Sequence, residues 1–117
     1  MPEWKDVVAI ASRFPGVQEG TSYGTPSLTV RKKFMCRMRT NPDALVVRTI
    51  DLADRDALLK GQPDVFFITP HYENYPAVLV RLDVIDPGQL AELIEDAWLS
   101  RASPTRANAW LREHPAG

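Results

Sequence analysis

The residues of this chain best able to do chemistry lie in two short stretches. The first runs from Asp64 to Leu82, DVFFITPHYENYPAVLVRL, where two apolar runs flank a connection holding His71, Tyr72, Glu73 and Tyr75 between Pro70 and Pro76. An imidazole beside phenols and a carboxylate can relay protons. The same rings can stack on a base or line a small-molecule pocket. Tyr23 and Thr25, in the earlier Gly-rich segment 20–26, join them if both loops lie at one end of a sheet. The competing reading is a rigid lid, with Pro and Tyr packed on the core and their polar tips hydrogen-bonded. That reading outweighs catalysis, and ligand binding stands between the two because loops on rigid scaffolds often carry binding residues.

The second stretch is Arg31-Lys32-Lys33-Phe34-Met35-Cys36-Arg37-Met38-Arg39, which carries five positive charges and no acid. Strand alternation sorts it. With Phe34, Cys36 and Met38 toward the helices, Met35, Arg37 and Arg39 face outward. Leu45 and Val47 inward put Arg48 outward, and Val78, Val80 and Leu82 inward add Arg81. One sheet face then holds Arg37, Arg39, Arg48 and Arg81, with Arg31, Lys32 and Lys33 at a hairpin tip. Guanidinium groups bind phosphate by paired hydrogen bonds and stack on bases, so the leading expectation is a non-enzymatic DNA-binding protein using this face and hairpin, with a small-molecule or protein-binding module built on loops 69–76 and 20–26 as the alternative. The plainer reading is a solvated polar face whose arginines pair with Asp51, Asp54, Asp56 and Asp64, and whose charged hairpin tip protects the sheet edge.

Other candidates are weaker. Cys36 falls mid-strand on an apolar face, as an inert core thiol would. His71 and His114 are far apart and lack Cys or acidic partners at ligand spacing, so neither a metal nor another cofactor is expected. No GxSxG, phosphate-binding loop or GxGxxG stands between a strand and a helix. The chain has 117 residues, 44% hydrophobic and 25% charged, with net charge −1. That is one globular domain with no global pull toward nucleic acid or acidic lipid, so any such partner must meet a local patch. A lone cysteine allows no intrachain disulfide. With no secretory leader and no membrane-length apolar run, the expectation is a monomeric cytoplasmic protein without a membrane partner.

The elements that must carry these residues follow from periodicity and punctuation. Trp4, Val7, Val8, Ala11 and Phe14 mark a first helix ended by Pro15-Gly16. Residues 17–30 read as a turn, with a short strand only at Ser22–Tyr23 and a further strand from Ser27 to Arg31. Lys32-Lys33 is the expected turn into a strand 34–39, and Asn41-Pro42-Asp43 leads to Ala44–Thr49. Asp51 caps a helix over Leu52–Lys60. Val65–Thr69 and Ala77–Leu82 are apolar enough for central strands. Asp86-Pro87-Gly88-Gln89 starts a helix with an apolar stripe through Leu90, Leu93, Ile94, Ala97 and Trp98. The expected domain is 1–103, with 104–117 as an extension forming either a short helix or a loose tail. The fold class is α+β, an antiparallel sheet with helices packed mainly on one face.

The order of helix, Pro15–Val17, EGTSYGTPSLTVRKKFMCRM, LVVR, PDVFFITPHYENYPAVLVRL and a final acidic-capped helix ending EDAW resembles the MmcQ/YjbR family of small bacterial proteins. The likeness covers about Trp4 to Ala102 by element count, and its most specific parts are Thr21–Pro26 and Asp64–Leu82. It implies an α+β fold of the CyaY (frataxin-like) type and, through likeness to a double-wing transcription-factor domain, DNA binding. It offers no catalytic motif. The frataxin-like comparison also raises iron binding through an acidic first helix. Here that helix has only Glu3 and Asp6, balanced by Lys5 and Arg13, and iron is not carried over.

Overall fold

Capping chemistry sets the helix boundaries. In the computed structural model, which describes residues 2–114, α1 spans Trp4–Ala11. The Asp51 carboxylate accepts the Asp54 N–H at 2.8 Å and opens α2, Leu52–Gly61. Asp86 accepts the Gln89 N–H at 3.2 Å, Pro87 takes the first helical position, and α3 runs Pro87–Arg101. Ser103 and Pro104 repeat the device: the Ser103 hydroxyl accepts the Arg106 N–H at 3.3 Å and starts α4, Pro104–Glu113. In each case a side-chain oxygen satisfies an N–H that has no partner inside the helix. The last part of the 104–117 extension, residues 115–117, lies outside the described residues.

Six strands form one antiparallel sheet: β1 Val17–Ser22, β2 Thr25–Val30, β3 Lys33–Arg39, β4 Ala44–Arg48, β5 Phe66–Phe67 and β6 Ala77–Val80, in the order β1-β2-β3-β4-β6-β5. Three features differ from the sequence expectation. Residues 17–22 are a full strand, paired along its length with β2. It lies at the sheet edge with most of its residues exposed, so it carries no apolar alternation to read. Residues 65–69 do not form a central strand. Only Phe66–Phe67 pair, at the opposite edge beyond β6, and the run is apolar because Val65 and Phe66 enter the helix-side core while Phe67 and Ile68 pack on the other face. The turn between β2 and β3 is Arg31-Lys32, both at positive φ (55° and 62°), with Lys33 already in the strand.

A β-bulge overturns the facing expected for the start of β3. Leu28 pairs with Cys36 but Thr29 pairs with Phe34, leaving Met35 as the extra residue. A bulge shifts side-chain parity at that point. Met35 and Cys36 therefore both enter the helix-side core, and Phe34, expected inward, turns to the opposite face.

The helix-side core gathers Leu28, Met35, Leu45, Val47, Val78 and Val80 from the sheet against Leu90, Ile94 and Trp98 of α3. Trp98 Nε1 donates to the Pro15 carbonyl at 2.9 Å, which ties the end of the α1 segment to α3. Trp110 of α4 completes a ring cluster, with centroids 4.9 Å from Phe14 and 5.4 Å from Trp98, and donates its N–H to Glu95 at 2.9 Å.

Cys36 sits in this core with no exposed surface, and burial pushes its thiol from an ordinary 9.0 up to about 12. In the folded state the thiol stays neutral where the unfolded thiol would ionise. Its contribution is thus fully present below pH 9.0 and is lost as pH rises toward 12. In urea unfolding at stepped pH the thiol should make stability fall by up to about 1.4 kcal/mol per pH unit above that point, and that part of the slope should be absent in Cys36→Ala. Native protein should also resist thiol reagents at neutral pH until denaturant is added.

Candidate ligand site on the outer sheet face

Cross-strand pairing defines the second face of the sheet. Val46, Ala44, Ala77 and Leu79 point away from the helices, and Tyr72 covers them to form a second apolar cluster edged by Phe34, Phe67, Ile68 and Tyr75. The face is therefore not simply solvated. The connection 69–76 folds across it, with a 3₁₀ turn at Pro70–Tyr72. Tyr72 is only 6% exposed.

Arg55 holds this connection in place. The side chain reaches out of α2 and is 5% exposed. Its Nη1 donates to the backbone carbonyls of Tyr72, Glu73 and Tyr75 at 2.7, 3.0 and 3.1 Å. Its Nε and Nη2 donate to the Asp56 carboxylate at 3.1 and 3.0 Å. The Tyr72 and Tyr75 carbonyls also accept N–H groups of the turn itself, from Tyr75 at 3.1 Å and Ala77 at 2.7 Å, so the guanidinium fills their second lone pairs and supplies a donor to the Glu73 carbonyl.

The connection and the β1–β2 hairpin then enclose a pocket of about 470 Å³. Ser22 and Tyr23 form one wall, His71, Tyr72 and Tyr75 the other, and Phe34 and Arg37 lie between them. His71 meets Tyr72 edge-on, with centroids 5.0 Å apart. Phe34 and Tyr75 centroids are 6.5 Å apart. Arg37 donates to the Tyr72 hydroxyl at 2.8 Å and to the Met38 carbonyl at 3.3 Å, and its Cζ lies 5.2 Å from the Tyr23 ring centroid. Tyr23 is 91% exposed and occupies the left-handed region, φ 53°, beside Gly24 at φ 76°. Such a two-residue turn matches the twist of a hairpin, but it prefers Asn-Gly over Tyr-Gly.

The structure thus brings Tyr23, His71, Tyr72 and Tyr75 together and adds Arg37 from the basic strand. Thr25 is not on the wall; its hydroxyl donates to the Ser22 carbonyl at 2.8 Å and braces the turn. The sequence reading missed Ser22, Phe34 and Arg55. Phe34 was hidden by the bulge, and nothing in the α2 sequence distinguishes Arg55 from a solvated helical arginine.

Pairing also places Arg39 and Arg48 on this face, opposite Ala44 and Ala77, and Arg81, just after β6, joins them over Phe67. They do not form the ion pairs expected with Asp51, Asp54, Asp56 and Asp64. Among the described residues only Lys5–Glu3 and Arg55–Asp56 are ion-paired. The arginines lie on rings instead: Arg48 Cζ is 5.2 Å from the Tyr75 centroid and Arg81 Cζ 4.2 Å from that of Phe67. Arg39 donates to the Asn41 carbonyl at 3.3 Å. Burial, and then the nearby charge of Arg48, hold the Arg101 guanidinium below its ordinary value. Arg31, Lys32 and Lys33 are exposed at the hairpin tip. Among the described residues no cluster of His, Cys, Asp and Glu could hold a metal ion, and no helix is long and apolar enough to cross a membrane.

The dependence of the pocket wall on Arg55 is testable. Arg55→Met keeps much of the apolar stem but removes a donor from three carbonyls, leaves that of Glu73 without its partner and frees Asp56 of its ion pair, and should cost about 3 kcal/mol or more in urea unfolding. Amide hydrogen exchange should accelerate first at residues 72–77. Uniform acceleration across the whole sheet would instead make Arg55 an ordinary core residue.

Comparison with known proteins agrees with this architecture. The YjbR family model matches residues 12–100, a span that includes every pocket residue and Arg55. Uncharacterised proteins of Mycobacterium bovis and Mycobacterium tuberculosis are 33% identical over 125 residues, covering 95% of this chain and 97% of theirs. The crystal structure of a Deinococcus radiodurans protein, DR2400, with a DUF419 domain, superposes with a TM-score of 0.76 at 18% identity, over 97% of this chain and 88% of that one. That likeness concerns the fold. With the family model spanning most of its length, the chain belongs to the YjbR family.

Proposed function

We propose that this protein is a binding module whose pocket, between the β1–β2 hairpin and the connection 69–76, takes a small ligand bearing a planar ring. The observation that carries the reading is Tyr23. A large ring is held almost fully exposed, in a backbone conformation that disfavours it, at the mouth of a pocket lined by other rings. Arg31 and Lys32 share that backbone conformation at another hairpin tip, so it is the large exposed ring at the mouth of a ring-lined pocket that supports a binding role. The volume lies within the range of small-molecule sites, about 300–1,000 Å³. The reading places the protein in the cytoplasm as a monomer, where a lone buried thiol needs no partner.

Tyr23→Asn separates function from stability. Asn-Gly is the favoured pair for this turn, so the melting temperature should hold or rise. An NMR screen of aromatic fragments should shift amides of Ser22, Tyr23, Arg37 and Tyr72–Tyr75 in the wild type, with affinity reduced several-fold in the variant. Fragments that leave those amides unmoved at millimolar concentration would remove the pocket reading.

DNA binding is the second reading, and a separate observation favours it: the outer-face arginines have no carboxylate partner among the described residues, and the tip Arg31-Lys32-Lys33 is free to lie along a groove as a wing. Anisotropy titration of labelled duplex should then show affinity falling linearly with log salt. Arg31→Gln with Lys32→Gln should lower that slope by about 0.9 for each phosphate no longer neutralised. Binding that ignores both salt and these substitutions would exclude the wing.

A further inference from the structure

We infer that the pocket ligand is an aromatic or heteroaromatic carboxylate, its ring among Tyr23, Phe34 and Tyr75 and its carboxylate on Arg37. The inference rests on the ligand-binding reading above and names the chemical class of that ligand.

Charge is the first argument. Arg37 is the only lining side chain whose charge is fixed at neutral pH, and no carboxylate lies within ion-pair distance of it among the described residues. A part-buried cation in a ring-lined pocket attracts an anion more strongly than the same cation in bulk water.

Donor geometry is the second argument. Arg37 spends one N–H on the Tyr72 hydroxyl and one on the Met38 carbonyl. These contacts fix the guanidinium plane and leave further N–H groups of the fork for a ligand. A planar fork held in place matches a carboxylate, which accepts two parallel hydrogen bonds. The Tyr72 hydroxyl, already accepting from Arg37, can turn its own proton to the same oxygen.

Charge balance separates carboxylate from phosphate. A phosphate monoester carries about −1.5 to −2 at neutral pH. One guanidinium would leave about half to one unit of that charge unneutralised beside the rings. The other cations of this face, Arg39, Arg48 and Arg81, do not line the pocket. A carboxylate matches the pocket one to one.

The test titrates the full chain with four probes, following amide shifts by NMR: naphthoate, the isosteric neutral naphthamide, cyclohexanecarboxylate, and naphthyl phosphate. Naphthoate should saturate with shifts at Ser22, Tyr23, Arg37 and Tyr72. Naphthamide, lacking the charge, should bind about tenfold or more weakly. Cyclohexanecarboxylate, lacking the flat ring, should also be several-fold weaker. Arg37→Met should erase the preference for naphthoate over naphthamide while naphthamide still binds, which shows that the variant is folded and its pocket intact. Naphthamide binding as tightly as naphthoate would overturn the carboxylate assignment and leave the pocket reading standing. Naphthyl phosphate binding more tightly than naphthoate would overturn it in favour of phosphorylated ligands. No shift at the pocket with any probe, including the neutral one, would overturn the assignment and the pocket reading together.

Discussion

One buried guanidinium decides the shape of the outer face. A charge removed from water costs several kcal/mol unless its hydrogen-bonding capacity is met. Arg55 meets it with three backbone carbonyls and the half-exposed carboxylate of Asp56. In return the connection 69–76, whose own N–H groups already reach the Tyr72 and Tyr75 carbonyls, gains a second donor for these and a donor for the carbonyl of Glu73. Tyr72 is thereby pressed onto Val46 and Leu79, and the far side of the sheet becomes a second small core. Without that clamp the chain would be a two-layer α+β fold with a bare sheet face and no pocket wall.

Three local irregularities converge on the same place. The bulge at Met35 turns Phe34 out of the helix-side core and onto the pocket side. The left-handed turn at Tyr23-Gly24 projects a ring above it. The 3₁₀ turn at Pro70–Tyr72 brings His71 and Tyr72 to the opposite wall. Bulges and strained turns re-aim side chains, and they are commonly found beside sites. Their placement around Arg37 is a stronger sign of use than any single residue among them.

The arginines show why charge alone was ambiguous. Each of Arg37, Arg48 and Arg81 lies over a ring rather than against a carboxylate. A guanidinium can stack in this way and keep its charge uncompensated, because its plane is apolar and its donors lie at the edge. The outer face is therefore both partly apolar and electropositive, a combination suited to flat anions, whether free in solution or displayed along a nucleic acid strand.

The capped helices, the meander through β2, β3 and β4, and the α+β class were legible in the chain because they are local. Asp51 and Asp86 act within a few residues of themselves, and an apolar stripe such as Leu90-Leu93-Ile94-Ala97 needs no partner to be recognised, whereas the sequence after Ser103 leaves a short helix and a loose tail both open. The family resemblance was legible for the same reason, carried by contiguous motifs at 21–26 and 64–82. The aromatic connection could be marked as unusual, and Tyr23 could be suggested beside it. What only the tertiary structure decided was non-local: the bulge that reverses Phe34, set by the pairing of β2 with β3; the edge places of β1 and β5, set by sheet order; and the reach of Arg55 to carbonyls 17 to 20 residues away. Residue types and spacing encode the period of an element, but the parity of a strand beyond a bulge and the partner of a buried charge depend on which surfaces meet when the chain closes on itself.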